Sequence, residues 1–130
     1  MTRTATALAL ALVASPASAY EPERAMANLA SDLAECAAYF WIASNASEET
    51  NAELSDALIS RANNLRLQAI AGSNEKVTNA RVNLAASDML DELDGNFSNM
   101  AILIEQHQER CVKIGDDPRA RYNYWLYKKD

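Results

Sequence analysis

Glycine, proline, cysteine and histidine are all scarce in this 130-residue chain, which holds three Gly, three Pro, two Cys and one His. So little Gly and Pro excludes a collagen-like repeat or a Gly/Pro-rich disordered chain, and leaves long stretches in which helices can run unbroken. Two Cys are too few for a disulfide-dense mini-protein or a four-thiolate zinc site. The lone His107 has no nucleophile and orienting acid grouped with it in the sequence, so no Ser-His-Asp or Cys-His signature is present. Basic charge is short as well, with 12 Lys plus Arg against 18 Asp plus Glu. That balance argues against a nucleic-acid partner. What remains is an ordinary apolar fraction, 49% of residues, in a length suited to one domain.

Residues 1–19 read as a secretory signal peptide. Arg3 gives a short basic start, Ala5 to Ala14 an apolar run, and Ser15-Pro16-Ala17-Ser18-Ala19 a small-residue exit. The run is about ten residues, well under the roughly 20 that a membrane-spanning helix needs. Cleavage is expected between Ala19 and Tyr20. Residues 20–130 then form a single exported domain without stable membrane insertion, in a bacterial periplasm or secreted. Losing Arg3 takes the net charge from -6 to -7. An oxidising compartment favours a disulfide between Cys36 and Cys111, worth about 4 to 5 kcal/mol in the chain-entropy treatment.

In the mature chain Gly stands only at 72, 95 and 115, and Pro only at 22 and 118. Between these breakers the apolar residues recur at intervals of three and four, the signature of helices buried on one face. The first helix runs from Pro22 to about Ala43 with Met26, Leu29, Leu33, Cys36 and Phe40 on its stripe. The second starts between Ser47 and Thr50, where Thr50 and Glu53 form a capping box, carries Leu54, Leu58, Ala62, Leu65 and Ala69, and ends at Gly72. The third carries Val82, Ala86, Met89 and Leu93. The fourth carries Phe97, Met100, Ile104, His107 and Cys111. Asp116-Asp117-Pro118 supplies a cap and a first position for a short C-terminal helix to Lys128.

Gly95 admits two readings. The apolar phase passes through Asp94-Gly95-Asn96 unbroken, which suits one helix of about 58 Å whose far half a second subunit would cover. A bridge between Cys36 and Cys111 requires the chain to turn back, since those Cα atoms must approach within about 7 Å. The bridge favours a turn at Asp94 to Ser98, and with it a monomeric all-α, up-down-up-down four-helix bundle plus a short C-terminal helix, closed by one disulfide. A homodimer belongs to the other reading.

Metal and cofactor signatures fail on spacing. Aligning Gly95 with the sixth position of a calcium loop puts Leu90 and Ala101 where Asp and Glu are required. Haem between Met26 and His107 fails because the bridge sets the two some 21 Å apart in height, and no CxxCH is present. No cofactor is expected, and His107 reads as a core histidine on the apolar stripe.

The C-terminal segment stands apart. From Tyr20 to Glu109 there are 5 basic and 15 acidic residues, while Arg110 to Asp130 holds 6 basic and 3 acidic. Tyr122, Tyr124, Trp125 and Tyr127 lie among Arg119, Arg121, Lys128 and Lys129. Arg, Tyr and Trp are the usual anchors of interfaces, so Arg119, Arg121, Tyr122 and Trp125 are candidate partner-binding residues. Tyr122 and Trp125, at i and i+3, could instead cover Tyr39, Phe40 and Trp41, which follow Cys36, and the basic, aromatic segment could also touch an anionic membrane surface.

Leu33-Ala34-Glu35-Cys36-Ala37-Ala38-Tyr39-Phe40, Asp94 to Asn99, and Cys111 followed by Pro118-Arg119 and Tyr124-Trp125 resemble a loose family of small exported bacterial proteins, all-helical, with two cysteines and no assigned activity. The resemblance implies paired cysteines and a periplasmic home, and carries no catalytic residue. The expected function is that of a non-enzymatic exported protein acting through contacts with a protein partner, as an envelope accessory or adaptor. Alternatives are a periplasmic immunity-type inhibitor and, from another class, a carrier of haem, a metal or a small ligand between the helices.

Overall fold

The computed structural model describes residues 21–129. The expected signal peptide and the Ala19–Tyr20 cleavage point lie outside them. Among the described residues 86% are helical and none forms a strand. The helices are α1 (Pro22–Ser47), α2 (Ala52–Gly72), α3 (Glu75–Glu92), α4 (Ala101–Leu103), α5 (Glu109–Asp116) and α6 (Pro118–Tyr127). A π-helical turn, Ile104–Gln108, joins α4 to α5, so 101–116 is one helical rod.

The helix starts follow local chemistry. Pro22 sits at the beginning of α1. Asn51, Asn74 and Asp117 cap α2, α3 and α6 by accepting the backbone N–H of Leu54, Val77 and Ala120. The cap of α2 is therefore Asn51, not the expected Thr50, whose hydroxyl bonds back to the Ser47 carbonyl. α1 also runs four residues beyond Ala43, because the polar Ser44 is buried. Ser44 and Ser55 each donate a hydroxyl to the other's carbonyl, at 2.8 and 2.9 Å, which satisfies both inside the α1–α2 contact.

α1 is the axis of the molecule, in contact with α2, α3, α5 and α6. From Leu33 to Ser44 every residue except Glu35 and Trp41 is buried. The spacing alone predicted one buried stripe. The helix is buried nearly all round because the positions between the large residues are Ala34, Ala37, Ala38 and Ala43, small enough to let several helices close on it. The same closeness holds at Gly72, where a Cβ would meet Met26 Sδ at 3.2 Å and Ala30 Cβ at 3.4 Å.

α3 stops at Glu92, and Asp94 and Gly95 both take positive φ, 54° and 67°. Their N–H groups bond the Asp91 and Leu90 carbonyls, closing the helix end, and the chain turns at the expected place. The turn and the π segment shift the apolar phase beyond it. Leu103, Cys111 and Ile114 are buried there, and Phe97 and Ile104 of the expected stripe are exposed. Cys36 and Cys111 form a disulfide with Cα atoms 5.3 Å apart, both fully buried.

Candidate functional site

The candidate site is the seam where α6 meets α1 and α5. From Cys111 the chain runs down α5, turns at Asp117, and brings Pro118 beside Met26, Leu29 and Leu33 near the start of α1. α6 therefore lies against α1 at Asp32. Tyr39 to Trp41 are farther along α1, and Trp41 stays 42% exposed beside Ala62, Arg66 and Val82.

Asp32 gathers the seam. Its Oδ2 accepts from Arg121 Nε at 2.6 Å and from Trp125 Nε1 at 2.7 Å, and its Oδ1 faces Arg110 Nη1 at 3.9 Å. Its side chain is 14% exposed, so these charge-assisted bonds are partly shielded from water. Arg110 also pairs with Glu35 and donates to Nδ1 of His107 at 3.5 Å. Tyr39 donates its hydroxyl to Gln108, within the π turn, and its ring lies 5.7 Å from that of His107.

His107 is therefore half-buried at the seam, and its Nε2 is buried with no hydrogen-bond partner among the described residues. Burial, first, and the neighbouring Arg110 hold its pKa below the usual 6.5, against the pull of Glu35 and Glu92. Burial also raises the Tyr39 hydroxyl above its usual value. Met26 packs against Gly72, remote from these partners of His107.

Of the residues singled out by sequence, Arg121 and Trp125 are tied to Asp32, Tyr122 packs against the buried core, and Arg119 is exposed. The outward residues of α6 are Arg119, Ala120, Asn123, Tyr124 and Tyr127, at helical spacing, with Tyr124 47% and Tyr127 70% exposed. Cations hold the rings in place. Arg121 lies 4.3 Å from the Tyr124 centroid, Lys128 lies 4.9 Å from that of Trp125, and the two rings meet edge to face at 5.1 Å. A groove of about 480 Å³ separates α6 from α5, walled by Glu105, Glu109 and Lys113 on one side and Arg121 and Tyr124 on the other.

Sequence reasoning missed Asp32, Glu35 and Arg110. A signal was present, since Asp32 and Glu35 are the only carboxylates between Glu23 and Glu48, within the most apolar helix. A buried helix keeps such groups where a cation answers them.

Among the described residues no group of three or more His, Cys, Asp or Glu is placed to hold a metal ion, and no helix is long and apolar enough to cross a membrane. The chain matches no protein-family model, no curated protein and no solved structure.

Proposed function

We propose that this is an exported, non-enzymatic helical protein that acts by binding another protein through the outward face of α6, in a bacterial envelope accessory or adaptor role. The observation that carries the reading is the division of labour on α6. One face is fixed to α1 through Asp32, and the other leaves Tyr124 and Tyr127 exposed beside Arg119 and Lys128. Exposed aromatics held rigid by a docked helix lose little entropy on binding, which suits a contact surface. The buried Cys36–Cys111 bridge and the signal-like residues 1–19 support export.

The arrangement of helices that accompanies this reading is an up-down-up-down bundle of α1, α2, α3 and the 101–116 rod, with α6 as an added fifth helix. Short connections after α1 and α2, the positive-φ turn at Asp94–Gly95, and the bridge to Cys111 support it.

The test is site-specific photo-crosslinking in the producing cell, with the probe at Tyr127 or, as a control, at the exposed Ser60 of α2. A discrete protein adduct at 127 and none at 60, on a chain whose N-terminus is Tyr20, is expected. Equal adducts at both positions, or a chain retaining residues 1–19 in the cytoplasm, would defeat the proposal.

A further inference from the structure

We infer that the partner presents an acidic segment to α6, a short run of Asp and Glu carrying an aromatic or aliphatic side chain. The inference rests on the reading of α6 as a contact surface and names the chemistry of its occupant. Four cations, Arg119, Arg121, Lys128 and Lys129, stand between Asp116-Asp117 on one side and Asp130 on the other. Asp32 neutralises Arg121. No carboxylate among the described residues lies at ion-pair distance from the other three, whereas Arg61, Arg66, Arg110 and Lys113 each have one.

The helix macrodipole explains only part of this. Lys128 and Lys129 follow the C-terminal end of α6, where cations are favoured. Arg119 lies in the first turn, where the capping carboxylate of Asp117 supplies the negative charge that the helix end favours.

The shape of the charge selects a narrow occupant. Residues 20–109 carry 5 basic and 15 acidic residues, so a flat anionic membrane touching α6 would also face that acidic body. α6 is only about 15 Å long, and charges separate electrostatically over about 8 Å at physiological salt. A single acidic segment can lie along α6 without approaching the body. The exposed cations and rings lie along the outer edge from Arg119 to Tyr127 and the lysines beyond, so the segment follows that edge. Tyr124 and Tyr127 there offer rings to an apolar side chain.

The experiment selects random 12-residue peptides displayed on phage against the oxidised protein purified from the exported fraction. Counter-targets are the charge-reversed variant Arg119→Glu/Lys129→Glu and Tyr127→Ala. None of these residues makes an ion pair within the described chain, and circular dichroism with an alkylation assay verifies the fold and the bridge. Net acidic peptides are expected. Their synthetic copies should lose about tenfold in affinity on the charge-reversed protein and weaken as salt rises from about 50 to 300 mM. Neutral or basic peptides that still depend on Tyr127 would overturn the acidic chemistry and leave the contact surface standing. Peptides indifferent to both variants would overturn the surface as well. Two further results would overturn the inference: phosphatidylserine vesicles bound in place of peptides, or a dimer lost on charge reversal, in which a second copy offers its Asp88–Asp94 end.

Discussion

Between Leu33 and Ser44, α1 leaves only Glu35 and Trp41 unburied, whereas α6 buries none of its ten residues fully. Both helices lie in the same small domain, yet different forces hold them. α1 is fixed by apolar contact from several sides, a stabilisation spread over Leu33, Phe40, Ile42 and the alanines between them. α6 is fixed at few points, chiefly the two N–H donors that converge on one carboxylate, together with the packing of Tyr122. Distributed apolar burial fails as a whole. A helix clasped by one acid can fail alone, and this lets a surface element be remodelled while the fold around it stays intact.

The sharpest way to break the α1 side is to remove the bridge that closes the fold around it. Cys36→Ala/Cys111→Ala should lower unfolding free energy by about 4 to 5 kcal/mol, read from urea denaturation beside the oxidised parent. A loss under about 1 kcal/mol would mean that packing alone fixes the register of α5 against α1. Phe40→Ala comes next, at about 3 to 5 kcal/mol, and should lower protection of α1 and α6 together in hydrogen exchange. Asp32→Ala should cost about 2 kcal/mol, because Arg121 and Trp125 lose their shared acceptor at a shielded site. Its signature is local. Amides 118–127 should exchange faster while 33–44 keep their protection, and an equal loss in both would erase the distinction between the two helices.

The smallest effect lies in His107, between the two regions. Its ring is held below the usual 6.5 when folded, so the unfolded chain takes up a proton first as pH falls. Stability from this group is therefore complete above about pH 6.5 and declines as pH drops toward the lowered folded value. His107→Gln should flatten that part of the urea-midpoint profile between about pH 7.5 and 5.5. A variant that tracks the parent across this window would show that the ring carries no folding-linked proton.

Much of the fold was legible because helices declare themselves locally. Pro22, Gly72, Asn74 and the Asp117-Pro118 pair mark boundaries through backbone chemistry that does not depend on distant residues. The turn at Asp94–Gly95 was reached from the length a bridge can span, a distance argument that needed only the two cysteine positions. What was hidden depended on neighbours brought from afar. Ser44 looked like a helix end because its partner, Ser55, is on the next helix. Ile104 looked buried and Leu103 did not, because one π turn resets the phase and periodicity cannot announce it. At the site, the sequence marked out Arg121 and Trp125 by composition. It could not pair them with Asp32, about ninety residues earlier, since nothing local links the two.

The disulfide has a mechanical consequence. It joins residues separated by 75 positions, so tension applied at the two ends of the described chain passes from Cys36 directly to Cys111. α2, α3 and α4 lie on the bypassed loop and bear no load while the bridge is intact. Only the first part of α1, the end of α5 and α6 can be drawn out, roughly 120 Å of chain, with roughly 250 Å released if the bridge is cut. α6 stands in series with the pull through the Asp32 clasp, so it is the segment that yields under force while the rest of the molecule keeps its shape.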